Sequence, residues 1–87
     1  MPRVVLARRV QAEVLALPWP LGDAVADALA LLERDPEAGH ALRGRLRGLR
    51  SLRVGVYRVI YQVAEGGRTV RVLAVRHRAQ AYETDPR

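Results

Sequence analysis

"SLRVGVYRVIYQV", Ser51 to Val63, decides how this chain folds. Apolar and polar residues alternate on both sides of Gly55-Val56, the pattern of two strands joined by a tight turn. Glycine at the first central position is the signature of a type II′ hairpin. A two-residue turn there sets Val54 opposite Tyr57, Arg53 opposite Arg58, Leu52 opposite Val59 and Ser51 opposite Ile60. Leu52, Val54, Tyr57, Val59, Tyr61 and Val63 then share one face, suited to a core. Ser51, Arg53, Arg58 and Gln62 share the other.

Downstream, "EGGR" (Glu65 to Arg68) predicts a second tight turn centred on Gly66-Gly67. An unbroken register from that turn sets Val63 against Val70, Tyr61 against Val72 and Val59 against Ala74. Arg71, Leu73, Val75 and His77 then fall on the same face as Arg58. Upstream, Leu42, Leu46 and Leu49 recur at helical spacing but are interrupted by Gly44 and Gly48. That predicts an irregular segment pinned by leucines, with Arg43, Arg45, Arg47 and Arg50 facing outward. Leu21, Val25, Ala28, Leu29 and Leu32 line one side of a helix from about Leu21 to Arg34. Val10, Val14 and Leu17 mark an earlier helix, which "PWP" (Pro18 to Pro20) ends. "RVVLA", Arg3 to Ala7, reads as a first strand. Trp19 is expected as a packing plug between the helices rather than as a base-stacking platform. The expectation is an α+β fold: one small domain over residues 1–87, an N-terminal strand and two helices packed on an antiparallel sheet.

Charge is segregated along this chain. All fifteen basic side chains apart from histidine are arginine. Residues 1–37 hold four arginines against six acids, whereas residues 38–82 hold ten arginines against Glu65 alone. From His40 to Val59 there are six arginines and no acid. Such a concentrated positive field points to an anionic partner, nucleic acid foremost. With no cysteine, neither a disulfide framework nor a thiolate metal site is available. No run resembles a secretory signal or a membrane span, so the expected setting is cytoplasmic, with no membrane partner.

The hairpin sharpens that reading. Like charges directly across a ladder cost roughly 0.2–1 kcal/mol, so Arg53 facing Arg58 does not serve stability. A phosphate between them reverses the sign, because guanidinium groups fork onto phosphate oxygens. The expected floor is Arg53, Arg58 and Arg78, with His77 at the same face and Arg43, Arg45, Arg47, Arg50 and Arg76 as further RNA contacts. The alternative is a pair that splays into water. Glu65 is the only carboxylate of the basic region and sits in a turn, so paired-carboxylate chemistry and carboxylate-bound magnesium are not expected. Two distant histidines make a poor zinc set. Neither metal nor cofactor is expected. Electrostatic stabilisation by arginine remains, with Tyr82 or His77 as general base.

"LRGRLRGLRSLRVGVYRVIYQV" (Leu42 to Val63) followed by "VRVLAVRHRAQAY" (Val70 to Tyr82) resembles the RelE/ParE superfamily of bacterial toxin–antitoxin modules. The resemblance implies a RelE-like fold and, for its RelE branch, metal-independent cleavage of mRNA on the ribosome with the 2′-hydroxyl as nucleophile. It implies roles for Arg58, Arg53, Arg78 and Tyr82. Ser51 and Val56 depart from the family pattern, at a position often basic and at one commonly Asp. The partners implied are a cognate antitoxin, the ribosome and mRNA. Two alternatives stay open: a ParE-like inhibitor of DNA gyrase, and a nucleic-acid-binding module without catalysis.

Overall fold

A computed structural model describes all 87 residues. Seven elements follow along the chain: β1 (Arg3–Leu6), α1 (Arg8–Leu15), α2 (Leu21–Arg34), β2 (His40–Ala41), β3 (Arg50–Val54), β4 (Tyr57–Ala64) and β5 (Thr69–His77). Short 3-10 turns occupy Gly44–Leu46 and Glu65–Gly67. The five strands form one sheet in the order β1-β5-β4-β3-β2. Four of the strands pair antiparallel, but β1 lies parallel to β5, so the sheet is mixed. Such a pairing needs a crossover, and here the chain between β1 and β5 carries both helices before returning.

The β3–β4 hairpin has the register read from its alternation: Val54–Tyr57, Arg53–Arg58, Leu52–Val59 and Ser51–Ile60. Gly55 takes φ +59° while Val56 stays at negative φ, the handedness that a twisted two-residue hairpin requires. The β4–β5 register holds at Val63–Val70 and Tyr61–Val72, then slips. Ile60 pairs with Ala74 and Val59 with Val75, so Leu73 is the extra residue of a β-bulge. The exposed Arg9 side chain donates Nη2 to the Leu73 carbonyl at 2.6 Å. The bulge overturns the expected facing of the strand's last third. Val75 turns into the helix-side core, Arg76 replaces it opposite Arg58, and His77 stands opposite Tyr57.

Each sheet face carries its own core. On one side α1 and α2 cover Val54, Val59, Tyr61, Val70, Val72 and Val75 with Val10, Val25 and Leu32. Leu21, Ala28 and Leu29 pack against them, as their spacing predicts. Asp23 in the first turn of α2 and Arg34 in its last both suit the helix dipole. On the other side the irregular segment lays Leu46 and Leu49 on Ile60, Ala74 and Ala81, with Leu42 and Leu73 beside them. The buried Tyr61 hydroxyl donates to the Pro36 carbonyl (2.8 Å) and accepts from the Gly39 N–H (3.0 Å), pinning the chain between α2 and β2.

Trp19 does not plug the helix junction. It is 83% exposed, and with Val14, Leu15 and Leu17 it borders a shallow groove outside the α1–α2 turn. Pro18 and Pro20 flank it in the exposed turn between the two helices.

Candidate nucleic-acid interface

Arg53, Arg58 and Arg76 form a row across three adjacent strands. Arg58 pairs with Arg53 of β3 on one side and with Arg76 of β5 on the other. Directly paired residues in a sheet hold their Cβ atoms about 4.5–5.5 Å apart, so three guanidinium stems rise side by side from one face. No acid stands among them. The two ion pairs outside the last residues are Arg9–Glu13 on α1 and Arg71–Glu65 at the far turn.

The members of the row are held differently. Arg53 is exposed. Arg58 is half-buried, and its Nη1 donates to the Gly55 and Tyr57 carbonyls at 3.1 and 2.8 Å, which fastens the guanidinium over the hairpin. Arg76 donates Nη1 to the Ala81 and Thr84 carbonyls at 3.3 and 2.8 Å, so it also holds the turn that follows β5. That turn brings Tyr82 back over the sheet, where its hydroxyl lies 2.9 Å from Ser51 Oγ. Ser51 is buried, two residues before Arg53 on the same strand face, and its partner Ile60 is two residues after Arg58. The phenol therefore sits on the arginine face, partly open to solvent. Ser51, which departs from the family pattern at a position often basic, is the group that receives it.

The other sequence-stretch arginines separate into two groups. Arg43 and Arg47 are exposed. Arg50 and Arg45 are tied into the fold. Arg50 Nη2 donates to the Glu37 carbonyl (3.1 Å) and to the Gly39 carbonyl, bracing β3 against the chain that leaves α2. Arg45 Nη2 donates to the Tyr82 and Glu83 carbonyls at 3.0 and 2.8 Å. Arg78, expected in the floor, lies beyond β5 at the tip of the hairpin, its N–H on the Val56 carbonyl at 2.7 Å and its residue exposed.

His77 does not reach the arginine face. It stands opposite Tyr57, edge-on to that ring at 5.7 Å between centroids, and its Nδ1 accepts the Ala79 N–H at 3.1 Å. Unbroken alternation from the Gly66-Gly67 turn hides this, because the one-residue slip at Leu73 inverts every side chain after it. The Arg76-to-Tyr82 constellation was thus missed as a unit. The available signal was the adjacent pair Leu73-Ala74, two residues that break strict period two. Nowhere do three or more His, Asp or Glu side chains gather as a metal site would need.

The two-helix, five-stranded scaffold has counterparts among known proteins. The family model for the ParE toxin of the type II toxin–antitoxin system parDE matches residues 4–82. Toxin RelE of Mycobacterium tuberculosis is 36% identical over 56 residues, which cover 64% of this chain and 58% of that toxin. The match therefore spans less than two thirds of that curated relative's length. The toxin–antitoxin complex RelBE2 from Mycobacterium tuberculosis contains a chain 31% identical, with a TM-score of 0.78 over 88% of this chain and 99% of that one. The archaeal RelE–RelB complex from Pyrococcus horikoshii OT3 superposes with a TM-score of 0.72 at 26% identity, covering 92% and 98%. The family model and the fold agree over most of the chain, the sequence relative over 64% of it, and the chain belongs to the RelE/ParE superfamily of toxins from type II toxin–antitoxin systems.

Proposed function

We propose that the chain is the toxin of a type II toxin–antitoxin pair and that it cleaves mRNA bound to the ribosome without a metal ion. The observation that carries this reading is the Arg53–Arg58–Arg76 row with the Tyr82 hydroxyl set beside it on Ser51. In the proposed reaction the 2′-oxygen of a message nucleotide attacks the adjacent phosphorus while Tyr82, reacting as its phenolate, accepts its proton. The O2′–P bond forms and the P–O5′ bond breaks, leaving a 2′,3′-cyclic phosphate. The departing 5′-oxygen takes its proton from solvent. Charge grows on the non-bridging oxygens at the pentacovalent stage, and fixed guanidinium groups stabilise it there more than in the ground state. Arg58 is the central contributor, since it stands between the other two and is already oriented by two carbonyls. Arg53, Arg43, Arg47 and Arg78 serve as phosphate contacts along the message or ribosomal RNA, which makes binding steeply salt-dependent.

The proposed partners are the ribosome with its message and a cognate antitoxin, all in the cytoplasm. Two of the similar solved structures are toxin–antitoxin complexes, which supports the second partner. Purified protein added to a reconstituted translation system tests the reaction: wild type cuts ribosome-bound message, and Arg58→Ala cuts it about 10²–10³-fold more slowly. Intact message with wild type overturns the reading.

One observation favours a second reading, that the family model matched is the ParE one. A ParE-like chain would act on DNA gyrase. Supercoiling assays with purified gyrase separate the two, because a ribosome-dependent nuclease leaves supercoiling untouched.

A further inference from the structure

The ten residues after β5 fold back over the arginine face with little apolar surface to hold them. Ala81 is the one buried residue among them. Hydrogen bonds from guanidinium groups do the rest, and they run in both directions. Arg45, in the irregular segment, donates to the carbonyls of Tyr82 and Glu83 (3.0 and 2.8 Å). Arg87, in the returning tail, donates Nη1 to the Arg47 carbonyl (3.0 Å) and Nη2 to the carbonyl of Arg45 itself (3.1 Å). Each segment thus grips the other's backbone. Asp85 orients Arg87, taking Nε and Nη2 at 3.0 and 2.8 Å.

We propose that Arg45 and Arg87 form a reciprocal clamp that sets the Tyr82 phenol on Ser51, acting as positioning residues and not as RNA contacts. The catalytic consequence rests on the ribonuclease reading above; the clamp itself does not. A guanidinium that spans two carbonyls is held in orientation and has given up part of its capacity for phosphate. Two such groups immobilise an exposed turn that burial alone would leave frayed. Misplacing a reacting group by an ångström lowers turnover without changing how substrate binds.

Hydrogen exchange on the full chain tests the clamp directly. In Arg45→Ala and in Arg87→Ala the amides of buried Ala81 and of Glu83, which donates to the Gln80 carbonyl, exchange about tenfold faster, while those of Val59–Tyr61 and Val70–Val72 keep their protection. Fluorotyrosine labelling gives a second readout, the Tyr82 fluorine signal (assigned with Tyr82→Phe) moving toward its solvent-exposed position in both variants. Arg45→Lys does not restore either signal, since one ammonium cannot span two carbonyls as the fork does. In the translation assay both alanine variants lose about tenfold in kcat with KM within about twofold of wild type. Unchanged exchange and fluorine signals overturn the clamp. So does a raised KM with kcat preserved and a shallower salt dependence, which would make Arg45 a substrate contact. Should wild type cut no message, the ribonuclease reading fails, and exchange and fluorine signals still decide the clamp.

Discussion

The helix-covered face of the sheet and the arginine-bearing face are closed by different chemistry. The first buries nine apolar residues between the sheet and two amphipathic helices, with Tyr61 as its principal polar anchor. The second has five buried apolar residues, and guanidinium–carbonyl bonds complete its closure. Burial on the helix side is non-directional and grows with area. On the arginine side, directional bonds from guanidinium groups to carbonyls supply much of the closure. Stability and proposed function are therefore divided between opposite sides of a single layer, and substitutions should respond accordingly.

The largest separation is expected at Arg58. Replacing it by alanine should lower message cleavage about 10²–10³-fold, the range for losing one preorganised donor to a developing oxyanion, while the thermal midpoint stays near wild type. Single-turnover cleavage beside a melting curve checks both, and a large loss of stability would break the division.

The cores should differ in what they drag with them. Leu32→Ala and Ile60→Ala each should cost about 2–5 kcal/mol by urea unfolding. Leu32 touches only the helix side, so the folded fraction of that variant should cleave normally. Ile60 packs with Ala81 beneath the Tyr82 turn, so its variant should lose cleavage as well. Equal activity in the two would mean that the arginine side does not depend on its small core. Tyr61→Phe removes one donor and one acceptor at a buried site. It should cost about 1–3 kcal/mol, with cleavage per folded molecule unchanged.

Arg53→Ala carries the opposite sign. Removing one of two directly opposed cations should raise stability by roughly 0.2–1 kcal/mol while weakening cleavage, the trade expected where like charges are gathered for a ligand. A denaturant series at low salt measures the gain.

The smallest effect belongs to the tail. Asp85 sits below the ordinary carboxylate value of 3.8 because Arg87 donates side-chain and backbone hydrogen bonds to it, and Arg87 is raised in turn by Asp85. A depressed folded value means that the carboxylate's contribution is fully present above 3.8 and is lost as pH falls through its lower folded value. Tail resonances followed from neutral pH into acid should therefore stay constant until strongly acidic conditions and then shift. Movement near neutrality would place another group in control.

Much of the scaffold was legible because local rules and tertiary packing agreed. Period-two alternation around Gly55 placed six residues on the helix side, and all six are there. The apolar spacing of Leu21 to Leu32 likewise found its face. Trp19 was misread because residue type favours burial, whereas it lies in the exposed turn between the two helices. His77 was expected on the arginine face and Arg76 at its rim because one extra residue at Leu73 inverts the facing of the strand's end, while Arg78 lies beyond the end of β5 at the hairpin tip.

From the residues alone came the hairpin register, the two helices, the segregation of cations and the opposed arginines at 53 and 58. These follow from backbone geometry over a few neighbours, which residue order dictates directly. The parallel placement of β1, the slip that substitutes Arg76 in the row, and the return of Tyr82 to Ser51 depend on contacts between residues far apart in the chain. Such contacts are chosen by how the remaining surfaces fill space and satisfy carbonyls, a condition that exists only after the sheet has formed.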